Sequence, residues 1–354
     1  MIASVWWAAV RDLQWRARRV VIATVTTALV FAMTLVLAGL VSSFTAEARR
    51  TVWAFGGDAW VVRDGVYGPF TAVSVVPLDA VDAVRSSPGV RAAAPVLVVH
   101  ETVHTPRVSD LNVASFSPTD LAAPPISRGR LPAESGELAL DRSFPGAHVG
   151  MTISVSGRTF SVVGITHGMS INGGQPMAYA PLDDVEGLVF PGARVASAIV
   201  TRGVPQQLPP GYAMRTVDET TRDTLRPVTN ALQSLRTAEL LMVAVAALVI
   251  GSVVYLSALE RQRDFAVLKA TGTSSRSLFS SLAFQAVVLA VVAAVLGGFV
   301  AQGLVPLFPL AFSIPFSSSA LMPAVAVGVG LLASVAAGRR ATRVDPALAF
   351  GGPG

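Results

Sequence analysis

Three stretches of this chain are both predominantly apolar and free of charge for longer than a soluble helix or strand requires. Val20 to Val41 gives 22 such residues, Leu240 to Leu259 gives 20, and Ser277 to Gly338 gives 62. About 20 apolar residues cross a hydrocarbon core about 30 Å thick. The last run is too long for one span, and Pro306, Pro309, Pro315 and Pro323 interrupt it. Backbone breaks in lipid are tolerated only where protein or water satisfies the freed groups. The run therefore reads as two helices, 278–304 and 320–338, joined by a proline-rich hairpin, 305–319, outside the membrane. The pattern predicts four transmembrane helices, 20–41, 240–259, 278–304 and 320–338.

Between the first two spans the pattern changes. Residues 42–239 form an α+β domain with a stalk. Asp58–Arg63 and Arg91–Val103 are rich in Val and Ala and read as strands. Pro77–Ser87 reads as a short amphipathic helix, with Leu78, Val81 and Val84 at three-residue spacing and Pro88-Gly89 ending it. Glu137–Leu140, Thr152–Val155 and Thr159–Ile165 read as strands, the last two turned into a hairpin at Ser156-Gly157-Arg158. Pro181-Leu182-Asp183-Asp184 is a helix start with its acids at the positive end. Residues 218–237 are expected to be a helical stalk, bent at Pro227.

Composition agrees with spans: 52% hydrophobic and 14% charged, where ordinary globular chains carry about 25% charge. Charge then sets orientation. Arg11, Arg16, Arg18 and Arg19 precede the first span, Arg261, Arg263, Lys269 and Arg276 lie between the second and third, and Arg339, Arg340 and Arg343 follow the fourth. The hairpin 305–319 has no such charge. The positive-inside rule places both termini and the 260–276 loop in the cytoplasm and 42–239 outside, in a bacterial cytoplasmic (inner) membrane. Arginines ahead of an apolar run, with Ala46-Glu47-Ala48 after it, also resemble a cleavable signal peptide. The 22-residue run exceeds a signal core and favours a retained anchor. Residues 1–19, with Trp6, Trp7 and Trp15, suit an interfacial helix contacting membrane lipids. A net charge of +5 is thereby accounted for, and no nucleic-acid motif accompanies it.

Catalytic chemistry finds little support. Cysteine is absent, and the single lysine, Lys269, sits between Leu268 and Ala270 rather than in a Gly-Lys-Ser/Thr loop. HETVH, residues 100–104, matches the H-E-x-x-H pattern of zinc peptidases. That pattern needs a helix, which brings positions i and i+4 within about 5–6 Å. The context PVLVVHETVHTPRV is β-branched on both sides, so a strand is expected. A strand separates the two histidines by about 13 Å, beyond Zn–N bonds of about 2.0–2.1 Å. The chain is expected to be non-catalytic, with no metal or cofactor of its own.

The 260–276 loop is more informative. Phe265, Leu268 and Ala266 make a small apolar face flanked by Arg261, Arg263, Asp264 and Lys269. Gly272 suits a helix C′ position, and Thr273 or Ser274 can cap the next helix. A short amphipathic helix of this kind can dock in a groove on a cytosolic partner. Glu260-Arg261-Gln262-Arg263-Asp264-Phe265-Ala266-Val267-Leu268-Lys269-Ala270-Thr271-Gly272-Thr273-Ser274 resembles the coupling segment of ABC-transporter permeases of the MacB, FtsX and LolC type. The tail GRRATRVDPALAF (338–350) is similar to that family's ending. SPGVRAAAP (87–95), LPAESGELAL (131–140), VGMTISVSGRTFSVVGI (149–165) and AYAPLDDVEGLV (178–189) resemble its MacB-like extracytoplasmic domain.

The resemblance implies a homodimeric, mechanotransmitting permease, compact like the DevC and HrtB-type members and without a fused ATPase. Two copies of a separate ABC ATPase would bind ATP and Mg and push on the loop. The implied coupling residues are Arg261, Arg263, Asp264, Phe265, Leu268, Lys269 and Gly272. The cargo stays open: an extruded amphiphile such as haem, lipid or peptide; none, in an FtsX-like regulator of cell-wall hydrolases with an extracytoplasmic partner; or an amino acid such as glutamine. Met33 and Glu239 are conceivable haem ligands. Gln285, Gln302, Gly297, Gly298 and Gly303 suit either a dimer interface or packing within one copy.

Overall fold

The computed structural model describes residues 17–72, 74–104, 108–116, 121–260, 262–270, 272–308 and 312–342. The expected interfacial helix lies outside them up to residue 16, as do Arg261 and the tail from 343. The chain divides into two compact units, one of Ser43–Ala231 and the other of Met1–Ser42 with Leu232–Gly354.

Among the described residues, four helices are long and apolar enough to cross a membrane. The first, α1 (Ala17–Ala54), has 38 residues, or about 57 Å at 1.5 Å per residue. It is therefore nearly twice the thickness that one span needs, and it continues unbroken beyond the charge-free run.

The inserted unit follows in chain order. Its first part contains β1 (Ala59–Arg63), β2 (Val76–Pro77), α2 (Ala80–Arg85), β3 (Ala92–Val96), β4 (Val98–His104) and β5 (Val108–Phe116). Then come β6 (Ile126–Gly129), β7 (Glu137–Asp141), β8 (Thr152–Val155), β9 (Arg158–Thr166), β10 (Ser170–Ile171) and β11 (Gln175–Pro181). It ends with α3 (Leu182–Val189), β12 (Val195–Ala196), β13 (Ala198–Arg202), β14 (Tyr212–Thr216) and α4 (Val217–Thr224). A 3₁₀ turn, Arg226–Val228, leads out.

One sheet has the order β14-β1-β13-β3, and a second runs β4-β5-β11-β7-β9-β6 with β10 and β8 attached. Period-2 alternation explains how both faces of each sheet are buried. Trp60, Val62 and Val200 meet Ala114, Met177 and Tyr179 in a core between the sheets. Val61 and Ile199, on the opposite face of the first sheet, pack with Val81 and Val84 of α2. Leu111, Val113, Leu138 and Leu140 form a third cluster with Val185 of α3.

The region 91–103 is two strands in two sheets rather than one. The crossing at Leu97 is held by two buried serines. Ser115 Oγ accepts from the Leu97 N–H at 2.8 Å, and Ser197 Oγ accepts from the Val98 N–H at 3.0 Å. These replace ladder bonds that a strand loses on changing sheets. Pro95 fits because β3 is an edge strand. The helix expected from Pro77 begins only at Ala80, because Val76 and Pro77 pair with β12.

The other unit holds α5 (Thr229–Glu260), α6 (Gln262–Ala270), α7 (Ser275–Leu304) and α8 (Phe316–Thr342). The stalk breaks at Pro227 into α4 and α5 instead of bending. The fourth helix begins at Phe316 rather than at 320, so the hairpin is shorter than expected, and Pro323 lies inside the helix as the expected bounds have it. Small residues set the approach of these helices. A Cβ on Gly297 of α7 would stand 2.6 Å from the Ala28 carbonyl of α1, and one on Gly330 of α8 would stand 2.8 Å from Val287 Cα of α7. Gly298 and Gly303 face open space.

Candidate functional site

Within the 260–276 segment, specific backbone bonds close one helix and open the next. α6 ends at Ala270, and Gly272 takes φ +93°. The Thr273 N–H then donates to the Leu268 carbonyl at 2.9 Å, the 6→1 bond of a Schellman ending. The next residue, Ser274, caps α7, its hydroxyl accepting from the Ser277 N–H at 3.2 Å. One helix is thus stopped and the next begun within four residues.

The helical period divides α6 into two faces. Phe265 is 5% exposed and Ala266 is fully buried, and Phe265 belongs to the cluster that includes Ala258, Leu278 and Leu282 of the helix bundle. Asp264, Val267 and Leu268 are exposed, at i, i+3 and i+4 on one side. Phe265, expected beside Leu268 on an outward face, is instead this helix's anchor in its own chain. Val267, at 51% exposure, takes its place on the outer face. Helical spacing alone held that signal, since 264, 267 and 268 recur as one stripe. Arg263 and Lys269 lie on α6 with side chains outside the described set.

In the inserted unit one carboxylate gathers three separated segments. Asp184, 2% exposed at the start of α3, accepts from Ser135 Oγ at 2.6 Å, the Gly136 N–H at 2.9 Å and Arg158 Nη2 at 3.0 Å. A second, more exposed pair closes the neighbouring turn. Arg130 donates to Glu137 through both terminal nitrogens, and with the Ala133 N–H it holds the Glu137 carboxyl down at about 2.

Both connections to the spans are pinned within this unit. On α1, Thr51 Oγ1 donates to the Ser170 carbonyl at 2.7 Å, and Glu47 accepts from the Gly174 N–H at 2.8 Å. On the way out, Thr216 and Glu219 form a capping box on α4, and the Thr216 N–H holds the Glu219 carboxyl below its usual range. Asp223 accepts from the Phe70 N–H at 3.1 Å and from Thr71 Oγ1.

The remaining candidates fall elsewhere. HETVH lies in β4, at the edge of the larger sheet. His100 Nδ1 is 3.0 Å from Asn112 Oδ1, while Glu101 accepts from the hydroxyl of Ser156 in the β8–β9 turn. The extended geometry separates positions 100 and 104 as expected. Met33 is 41% exposed on α1, Gln285 is buried on α7, and Glu239 is half-buried on α5.

Residues 20–227 match the MacB-like periplasmic core domain family, and residues 237–346 match the FtsX-like permease C-terminal family. An uncharacterised ABC transporter permease of Mycobacterium bovis is 43% identical over 348 residues, covering 98% of this chain and 99% of its own. Another, from Mycobacterium tuberculosis, is 42% identical over 350 residues with the same coverage. The crystal structure of the periplasmic region of MacB from Actinobacillus actinomycetemcomitans aligns with a TM-score of 0.33 and 12% identity, over 50% of this chain and 97% of that one.

Proposed function

The chain belongs to the ABC transporter permeases that join a MacB-like periplasmic core domain to an FtsX-like C-terminal region, and from that premise we propose that α6 is where a separate cytosolic ATPase drives it. In this reading two copies of the chain bind two ATPases. The partner holds both ATP and Mg and hydrolyses the ATP, and this chain is the non-catalytic, multi-pass membrane subunit.

The observation that carries the reading is the two-faced build of α6. A helix that only connected two spans would need no anchored side. Here Phe265 and Ala266 fasten the helix to the bundle, and the Schellman ending and Ser274 cap tie it to α7. A push on Asp264, Val267 and Leu268 would then move α7 as a lever rather than being lost in a pliant loop. The arginine distribution supports a cytoplasmic position for α6 and an outside position for the inserted domain. Val267 and Leu268 supply the apolar contact. Arg261, Arg263 and Lys269, with Asp264, supply the charges around it.

The cargo we propose is an amphiphile extruded from the membrane. The surfaces of the spans are apolar, with Ile22, Leu248, Phe299 and Leu332 among the exposed residues. A molecule taken from the bilayer needs no polar channel through the protein.

Co-expression with the cytosolic ATPase tests the assignment. Tagged wild-type chain is expected to co-purify the ATPase and stimulate its hydrolysis. Leu268→Asp places a charge in the apolar contact and is expected to abolish both, while expression and elution volume stay those of the wild type. Wild-type recovery of the ATPase by Leu268→Asp sinks the proposal.

A further inference from the structure

Contacts between α1 and the larger sheet give the inserted domain a direction. Thr51 of α1 bonds the Ser170 carbonyl, Glu47 accepts from the Gly174 N–H, and Gly173 lies against the Phe44 ring. As the chain advances from 170 to 174, its partners on α1 fall from 51 to 44. The β10–β11 turn therefore points back along α1, toward the end that leaves the charge-free run at Val41. β11 returns antiparallel to β10 and to β7, β7 is parallel to β9, and β9 is antiparallel to β6. Hence β7 and β9 run toward the membrane end of α1, and β6 starts there.

The rim at that end of β7, β9 and β6 is basic. Arg142 follows β7 and donates its N–H to the Thr166 carbonyl at 3.1 Å, His167 follows β9, and Arg128 of β6 stands opposite Ile165. Arg50 of α1 reaches the Gly168 carbonyl at 3.5 Å. All four side chains are exposed, and neither Arg128 nor Arg142 makes an ion pair among the described residues. The acid on this arc, Asp141, is fully buried and taken up by Ser143, Thr166 and the Met169 N–H. Glu47 is half-buried, and Asp110 stands two strands away from β7, on β5, bonded to Gln175. At the opposite rim, Glu134, Glu137, Asp183 and Asp184 outnumber Arg130 and Arg158.

We propose that this basic rim rests on anionic phospholipid headgroups of the outer leaflet, with Arg128 and Arg142 as the principal contacts. Arg50 stands nine residues beyond Val41, about 13 Å along the helix at 1.5 Å per residue. Headgroups occupy about 5–7 Å of that height, and extended arginine side chains span most of the rest. Phosphate accepts bidentate bonds from arginine, and basic groups near a membrane surface are drawn to anionic lipid. Charge complementarity sets the occupant: the positive rim is the one turned to the bilayer, and the acidic rim is turned away. The inference rests on the outside position of the inserted domain and is independent of α6 and the ATPase.

The experiment places full-length protein in nanodiscs that carry a trace of lipid with a nitroxide on its headgroup. His167→Cys, a sole thiol that leaves every arginine in place, bears a fluorophore at the rim. Glu134→Cys bears it at the opposite rim. Fluorescence at 167 is expected to be quenched increasingly as phosphatidylglycerol replaces phosphatidylcholine, and at 134 to stay bright. Arg142→Gln in the His167→Cys background should need about five-fold more phosphatidylglycerol for the same quenching. Arg142→Lys should stay close to the parent, and Arg128→Gln with Arg142→Gln should abolish the response. Salt at about 0.5 M should abolish it too. Quenching at 167 that ignores phosphatidylglycerol, salt or the arginine changes overturns the proposal, as does equal quenching at 134. Labelling of Glu134→Cys in intact cells by an impermeant maleimide checks the outside position separately; failure there overturns that position and the proposal with it.

Discussion

Gly297→Leu is expected to prise α7 from α1, while the same change one residue on, Gly298→Leu, is expected to be tolerated. At Gly297 the two backbones nearly touch. An added Cβ would lie 2.6 Å from the Ala28 carbonyl, 3.0 Å from Phe31 Cβ and 3.1 Å from the Ala32 nitrogen. Two of these three atoms are backbone, which cannot rotate aside, so the helices must separate. Overpacking of this kind costs about 1–3 kcal/mol or more, and the separation would also loosen Phe31, which is fully buried. Gly298 meets nothing within 4 Å. There, leucine gains helix propensity over glycine, worth up to about 1 kcal/mol. Thermal stability of the two variants in detergent should fall on opposite sides of the wild type or leave Gly298→Leu unchanged. Equal loss in both would mean that α1 and α7 do not pack as described.

Asp184→Ala carries the largest expected effect in the inserted domain. It strands the Ser135 hydroxyl and the Gly136 N–H and leaves Arg158 without its carboxylate. Arg158 is 41% exposed, so solvent takes up much of its lost attraction and the ion pair itself is discounted. The Ser135 hydroxyl is exposed and the Gly136 N–H half-buried, so water takes up part of their loss as well. The total is about 1–2 kcal/mol. Protease cleavage of the inserted domain in the full-length protein should then speed up by about five-fold or more, since it follows the population of the open form. Arg158→Ala, which leaves Asp184 its two other donors, should cost clearly less. Equal cleavage of Asp184→Ala and wild type would remove Asp184 as the tie between the β7 approach, the β8–β9 hairpin and α3.

Strong, local signals were readable in the chain before its structure. Charge-free runs dominated by Ala, Val and Leu marked the four long helices, whereas Thr159–Leu182, equally free of charge, is broken by Gly, Asn, Gln and Pro and forms strands. The β-branched flanks of HETVH marked a strand. Gly272 and Ser274 marked a helix end and a helix start because few residue types suit those backbone conformations. What stayed hidden depends on partners far away in sequence. The sheet change at Leu97 relies on Ser115 and Ser197, neither of which stands near it in the chain. The start of α8 at Phe316, four residues ahead of the expected 320, is not marked by the charge-free run, which continues through it. The two faces of α6 were the most consequential case. Phe265 and Ala266 form one apolar arc and Val267 and Leu268 another, and composition does not say which arc the bundle takes. The larger side chain went inward, where Leu278 and Leu282 complete its cluster.

That division of α6 is the centre of the account, and the absence of cysteine from the chain makes it directly measurable. Val267→Cys, Leu268→Cys and Phe265→Cys each introduce a sole thiol, to be labelled with a maleimide in full-length protein with and without the ATPase. Val267→Cys and Leu268→Cys should label readily when the permease is alone and become protected when the ATPase is bound. Phe265→Cys should label poorly in both states. Labelling of Val267→Cys and Leu268→Cys that is indifferent to the ATPase would contradict the account.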